Sequence, residues 1–93
     1  MWSFIFTRTF RKRFLSVEPA ARRKIEAFIV EHQKGIEDLT LLNNFSQLTN
    51  SPGFARLRFG KYRVGVFLDY ETHIMEFRFV GARGDFYKHF PRR

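Results

Sequence analysis

The second half of the chain contains three short segments in which apolar and polar residues alternate. Strict alternation predicts β-strands, because successive strand side chains point to opposite faces of a sheet. The first segment, 54–59, places Arg56 and Arg58 on one face, and Gly60 with Lys61 supplies the turn into the next segment. We predict three antiparallel strands, at residues 54–59, 62–69 and 74–80.

The alternation also gives each strand an apolar face that packs inward. The inward side chains are Ala55, Leu57 and Phe59, then Tyr62, Val64, Val66 and Leu68, and finally Met75, Phe77 and Phe79. Ile74, Glu76 and Val80 are expected on the outer face. Four arginines share that face, and three further polar residues follow it in the chain: Arg56, Arg58, Arg63 and Arg78, then Arg83, Tyr87 and His89. Gly65 lies among the arginines and leaves room for a ligand backbone to approach.

The first half of the chain predicts one strand and a pair of helices. Alternating residues at 2–7 indicate a strand. Phe10, Phe14 and Val17 have the i, i+4, i+7 spacing of a helix that Thr7 or Thr9 caps and that runs to about Val17. A second helix is predicted at 19–34, because Pro suits a first helical position and Gly35 a helix end. Its buried side is Ala21, Ile25, Phe28, Ile29 and His32.

The segment 36–53 is expected to be irregular or briefly helical. The predicted element order is therefore β-α-α-β-β-β, followed by a short C-terminal helix or strand. This is an α+β fold in which a helical hairpin packs on one face of a mainly antiparallel sheet. A chain of 93 residues predicts a single domain, 1–93.

Composition and charge indicate the kind of partner. A net charge of +8 and a pI near 10.6 favour a polyanion, either nucleic acid or an acidic protein. The chain has no cysteine, and its histidines and carboxylates lack ligand spacing, so we predict no disulfide, no metal and no cofactor. No apolar run approaches the ~20 residues of a membrane span. The N-terminus lacks the basic region of a signal peptide, so we predict a cytoplasmic protein without a membrane partner.

Two segments are similar to motifs of a known family. RLRFGKYRV at 56–64 and FVGARGDFY at 79–87, after a two-helix hairpin, resemble the RelE/ParE superfamily of toxins from toxin-antitoxin systems, and within it the RelE-type mRNA interferases. The resemblance covers nearly the whole chain. It implies a RelE-like fold, a cognate antitoxin as partner, and action on the ribosome with its mRNA and ribosomal RNA.

The resemblance also implies a reaction and the residues that carry it. In such toxins a 2′-hydroxyl of mRNA in the ribosomal A site attacks the adjacent phosphate without a metal ion. Matching the motifs residue by residue places the catalytic set at Arg56, Arg58, Arg63, Arg83 and Tyr87. Ala82 stands where many members have His or Lys, so any role of that side chain is absent. Arg at 56 and 58 replaces the Lys of some members and is a poorer proton carrier.

Cleavage of this kind needs a base, an acid and charge neutralisation at the phosphate. Arginines supply the last. Tyr87 is the candidate base, or a hydroxyl that holds the nucleophile in line, because Arg83 and Arg63 favour a phenolate. His89 is the candidate acid, since imidazole titrates near neutral pH. The alternative for both is a C-terminal segment that only packs on the sheet.

Further basic residues are candidate RNA contacts that fix orientation without reading sequence. They are Arg8, Arg11, Lys12, Arg22, Arg23, Lys61, Arg78 and Lys88. A solvated helix surface is the alternative for the first five, and pairing with Glu76, Asp69 or Glu71 for Arg78. Two other functions stay open: a ParE-like inhibitor of DNA gyrase, and an RNA-binding module without catalysis.

Overall fold

Five strands and three α-helices make up the part of the chain that the computed structural model describes, residues 1–91. The strands are β1 (Ser3–Phe6), β2 (Phe45–Gln47), β3 (Phe54–Phe59), β4 (Tyr62–Asp69) and β5 (Ile74–Ala82). The α-helices are α1 (Arg8–Phe14), α2 (Pro19–His32) and α3 (Arg83–His89), and a 3₁₀ turn covers Leu39–Leu41. The predicted α+β order is confirmed, and the C-terminal element is a helix.

The five strands form one sheet in the order β1-β5-β4-β3-β2. β1 is parallel to β5, and the other neighbours are antiparallel. β2 forms within the segment that was predicted to be irregular or helical, so that prediction was incomplete. Pairing with β3 is what makes this three-residue strand possible, since so short a segment has little strand signal of its own.

Both N-terminal helices end earlier than predicted, α1 at Phe14 and α2 at His32. Thr7 is the cap of α1, because its hydroxyl accepts a hydrogen bond of 3.2 Å from the amide of Phe10. After α2 the chain reverses at Gly35, whose φ of +116° favours glycine. No helix within residues 1–91 is long and apolar enough to cross a membrane.

The main core lies between the helices and one face of the sheet. Its most deeply buried side chains come from α2 and from β3, β4 and β5, and include Ile25, Leu57, Val64, Val66, Met75 and Phe77. The residues predicted to face inward from β3 and β4 all contribute to this core. The opposite face of these strands therefore carries the arginines.

A β-bulge in β5 overturns the prediction for the end of that strand. Gly65 pairs with Phe79 and Val66 with Phe77, so Arg78 has no partner of its own on β4. Beyond the extra residue the alternation is out of phase. Val80 enters the main core, and Phe79 lies on the opposite face, the reverse of what strict alternation predicts.

A second apolar cluster lies on this opposite face, beneath α3. Phe79, Phe86 and Phe90 form it, and Leu48 and Phe54 pack against it. A Cβ atom placed on Gly65 would lie 2.7 Å from three ring atoms of Phe90. The space above Gly65 that was predicted to admit a ligand backbone is therefore filled by the Phe90 ring.

Candidate functional site

Arg56 and Tyr87 meet on the open face of the sheet, away from the helical hairpin. Arg56 is in β3 and Tyr87 is in α3, and Nη1 of Arg56 donates a hydrogen bond to the Tyr87 phenol oxygen. The guanidinium carbon lies 5.8 Å from the centre of the Tyr87 ring. Tyr87 as a residue is 45% exposed, so it is both accessible from solvent and held by the arginine.

Arg58 lies directly opposite Arg63 across the β3–β4 pair. Two like charges at opposed strand positions destabilise a sheet, unless one is neutralised or an anion lies between them. Arg63 is buried, and its Nη1 donates to the carbonyls of Gly60 at 2.7 Å and Tyr62 at 3.0 Å. Arg63 thus closes the β3–β4 turn, while Arg58 stays exposed.

Arg83 begins α3 at the same end of the sheet. Its amide donates to the carbonyl of Lys61 at 2.8 Å, and its side chain is exposed. Because Arg83 and Tyr87 are four residues apart in a helix, they lie on the same side of α3. We call the set Arg56, Arg58, Arg63, Arg83 and Tyr87 the arginine face.

Lys61 is directed away from the arginine face. It forms an ion pair of 2.8 Å with Glu18, at the start of α2. The hydrogen bond to Glu18 and the charge of that carboxylate raise the pKa of Lys61 above its ordinary value of 10.5. The pair fastens the turn between β3 and β4 to the helical hairpin.

His89 lies on another side of α3 from Tyr87. Two residues in a helix are separated by about 200° of rotation, so the side chains point to nearly opposite sides. His89 Nε2 is 3.4 Å from Asp85 Oδ1, and its ring lies 5.7 Å from that of Phe79. The structure does not bring His89 together with the arginine face.

Arg78 pairs with a carboxylate, which was the alternative to an RNA contact in the sequence analysis. Its Nη2 lies 2.7 Å from Oε1 of Glu76, and its guanidinium carbon is 4.8 Å from the ring centre of Phe67. Glu76 is two residues earlier on the same strand, so the two side chains lie on the same face of β5. Arg78 therefore covers the aromatic side chains of Phe54 and Phe67.

The other basic candidates lie at the surface of the helices. Those on α1 and α2 are Arg8, Arg11, Lys12, Arg22 and Arg23, and all except the half-buried Arg22 are exposed. Lys88 is exposed on α3. Among residues 1–91, no three His, Cys, Asp or Glu side chains are grouped as metal ligands would be.

Sequence reasoning missed two groups of residues around the arginine face. Arg13 on α1 holds α3 by an ion pair of 2.8 Å with Asp85. On the other side, Asn43, Asn44 and Ser46 border Arg56 and Arg58. The pairing of β2 with β3 brings the second group into place, and the sequence carries no signal for that pairing.

The fold of the chain is similar to solved structures of RelE toxins. No model of a protein family matches the chain, and no curated protein matches it. Among solved structures, the RelB-RelE antitoxin-toxin complex from Methanococcus jannaschii contains a chain with 29% identity and a TM-score of 0.77. The match covers 94% of this chain and 99% of that one.

Two further structures extend the similarity. The toxin-antitoxin complex RelBE2 from Mycobacterium tuberculosis contains a chain with 25% identity, a TM-score of 0.61, and coverage of 88% of this chain and 98% of that one. The isolated RelE toxin of E. coli has 14% identity, a TM-score of 0.66, and coverage of 88% and 84%. The protein thus has the RelE fold, and the resemblance to RelE toxins predicted from its sequence is confirmed.

Proposed function

We propose that this protein is the toxin of a RelBE-type toxin-antitoxin pair and acts in the cytoplasm as a ribosome-dependent, metal-independent endoribonuclease. It would cut mRNA in the ribosomal A site and so stop translation. The observation that carries the proposal is the arginine face, in which a phenol receives a hydrogen bond from Arg56 among three further arginines. This arrangement suits an anionic substrate that must lose a proton during the reaction.

The reaction assigned to this face is an internal transfer at phosphorus. The 2′-oxygen forms a bond to the adjacent phosphorus, the bond to the 5′-oxygen breaks, and the products are a 2′,3′-cyclic phosphate and a 5′-hydroxyl. The Tyr87 oxygen, as a phenolate, is assigned to accept the 2′-hydroxyl proton, because Arg56 donates a hydrogen bond to it and holds it on the arginine face. Arg58 and Arg83 are assigned to the extra negative charge on the phosphate oxygens.

The arginine face has no imidazole, because His89 points to another side of α3. The departing 5′-oxygen then relies on charge neutralisation and takes its proton from water. A site with so little acid catalysis depends on an RNA held close to the reactive geometry, which the ribosome supplies. We therefore expect slow cleavage of free RNA and efficient cleavage of mRNA in stalled ribosomes.

Two partners follow from the charge of the surface. Exposed basic residues on α1 and α2, among them Arg8, Arg11, Lys12 and Arg23, supply a sequence-independent contact for ribosomal RNA. The cognate antitoxin is proposed to lay an acidic, amphipathic segment on the arginine face or to displace α3. Similar chains have been solved in complexes of RelE with RelB, which supports an antitoxin partner.

The test is primer extension on mRNA from stalled ribosomes in a purified translation mixture. Cuts within the A-site codon are expected with the natural protein. Tyr87→Phe and Arg83→Ala should each lower the rate by about 10²- to 10⁴-fold, the usual range for a group that transfers a proton or stabilises charge in the reaction. Tyr70→Phe is the matched control, because Tyr70 is also exposed and its hydroxyl bonds Gln47, outside the arginine face.

Each other outcome points to a different function. If the mRNA stays intact while the protein is bound to ribosomes, the protein would be a toxin that occludes the A site and not a nuclease. Absence of ribosome binding, with DNA damage during growth arrest, would favour the gyrase inhibitor. Unchanged cutting by Tyr87→Phe would remove the phenol from the proposed chemistry while leaving the nuclease in place.

A further inference from the structure

The arginine face is closed on one side and open on the other. On the closed side, the Phe90 ring covers Gly65, and Phe79 and Phe86 fill the space beneath α3. On the open side lies β2, where Ser46 pairs with Arg56 and therefore points to the same face. For a strand of RNA whose phosphate contacts Arg56 and Arg58, the side toward β2 is therefore open to the flanking nucleotide.

The open side has a polar lining. Asn43, Asn44 and Ser46, which we call the β2 margin, border a depression of about 60 Å³ that also touches Arg56 and Arg58. The side-chain amide of Asn44 donates to the backbone carbonyl of Arg58 at 3.1 Å, and the backbone amide of Arg58 donates to the backbone carbonyl of Asn44 at 2.9 Å. Asn44 thus fixes the main chain under the Arg58 side chain.

Asn43 and Ser46 provide the groups that face a ligand. Asn43 is exposed at the rim, and its amide offers a donor and an acceptor. Ser46 adds a hydroxyl that can donate or accept. An amide matches the polar edge of a nucleobase, which also presents donors and acceptors side by side.

We propose that the β2 margin is a nucleoside subsite, in which Asn43 and Ser46 contact the base of the nucleotide that flanks the cleaved phosphate. The proposal rests on the proposed function, because it takes Arg56 and Arg58 as the phosphate contacts. It divides recognition between two strands of the sheet. β3 holds the phosphate whatever the sequence, and β2 sets which base is preferred.

The test compares cleavage across A-site codons that differ in one base at a time. Asn43→Ala and Ser46→Ala are expected to reduce the ratio between the best and worst codon by about three- to tenfold, the value of one or two hydrogen bonds. Arg58→Met should slow cleavage at all codons alike. Gln47→Ala is the matched control, since Gln47 follows Ser46 on β2, points to the other face and bonds Tyr70.

A second measurement tests the nucleoside subsite without requiring nuclease activity. The four ribonucleoside 5′-monophosphates are titrated into the natural protein, and backbone amide shifts of residues 43–46 are followed by NMR. We expect shifts that differ among the four bases, and Asn43→Ala should make the shifts uniform. Inorganic phosphate should shift only residues around Arg56 and Arg58.

If the natural protein cuts no mRNA, the proposed function fails, and this titration still decides whether the subsite exists. Uniform shifts in the natural protein, or cutting whose codon preference survives both substitutions, would overturn the subsite.

Discussion

Arg13 on α1 and Asp85 on α3 are seventy-two positions apart in the chain and form an ion pair of 2.8 Å. Arg13 makes two further contacts with β5. Its Nε donates to the carbonyl of Val80 at 3.1 Å, and its guanidinium carbon lies 4.2 Å from the ring centre of Phe79. One side chain therefore joins α1, the edge of β5 and α3. Tyr87 is on α3, so this connection is one of the contacts that hold the phenol near Arg56.

Removing Arg13 should cost more stability than removing Asp85. Asp85→Asn removes the half-exposed ion pair with Arg13, worth about 0–1 kcal/mol, and alters the contact of Asp85 with His89. Arg13→Met also removes the hydrogen bond to Val80 and the contact with Phe79, so we expect a loss of about 1–2.5 kcal/mol. Urea unfolding of both variants and the double variant measures the difference. Equal losses for the two single variants would assign the whole effect to the ion pair.

The two glycines around α3 should respond to alanine in opposite directions. Gly65→Ala places a methyl group 2.7 Å from the Phe90 ring, so we expect a loss of about 1–3 kcal/mol and partial release of α3. Gly84→Ala meets nothing within 4 Å and should strengthen the helix by up to about 1 kcal/mol. Hydrogen exchange of the α3 amides, compared with those of β4, locates the effect.

A further variant checks the cause of the Gly65 effect. Phe90→Ala removes the ring that the new methyl group would strike, so in its presence Gly65→Ala should cost little. The two substitutions are then strongly non-additive. Additive losses would show that Gly65 is needed for the bulge in β5 and that its contact with Phe90 is incidental.

The sequence predicted the faces of β3 and β4 correctly, because both strands keep strict alternation and Arg56, Arg58 and Arg63 follow from it. It was wrong for the end of β5. A bulge adds one residue to a strand and leaves no mark in the pattern of apolar residues, since Phe79 and Val80 suit either face. Apart from β2, the elements of the fold were thus predictable, whereas the residues under α3 were not.

The interpretation of His89 depended on the C-terminal element. In a strand, residues 87 and 89 would share a face and bring the imidazole beside the phenol. In the helix that forms, residues 83 and 87 share a side, and residues 85 and 89 share another. Because the sequence did not decide between a helix and a strand here, it could not decide whether His89 lies beside Tyr87. The β2 margin was beyond prediction for a related reason, since it depends on a short strand that only pairing creates.

Stability should fall in acid partly through Asp69, at the end of β4. The amides of Thr72 and Glu71 donate to its carboxylate at 3.2 and 3.0 Å, and the hydrogen bond from Thr72 is the main cause of a pKa below its ordinary value of 3.8. A group whose pKa is lower in the folded protein stabilises it above the unfolded pKa and loses that contribution as the pH falls through the folded value. Between about pH 6 and pH 2, the free energy of unfolding should decline less in Asp69→Ala than in the natural protein. This window extends about two units on either side of the ordinary pKa of an aspartate. An identical decline would exclude Asp69 as a source.

Two neighbouring cations should differ in how they bind RNA. Arg58 is exposed on the arginine face and lies opposite another arginine, so a phosphate there would relieve repulsion as well as add attraction. Lys61, three residues on, is already neutralised by Glu18 at 2.8 Å. For single-stranded RNA each phosphate contact contributes about 0.7 to the slope of log K against log salt. We expect Arg58→Met to reduce that slope by about this amount.

Lys61→Met is expected to leave the slope nearly unchanged, because the lysine has a carboxylate partner before RNA arrives. The measurement is the affinity for a short single-stranded RNA, by fluorescence anisotropy, across a range of salt concentrations. Glu18→Gln supplies the control, since it frees Lys61 without adding or removing a cation. In that background Lys61→Met should lower the slope as Arg58→Met does. If Lys61→Met lowers it equally with Glu18 in place, the ion pair opens to admit phosphate, and the contact surface extends from β3 across the turn to α2.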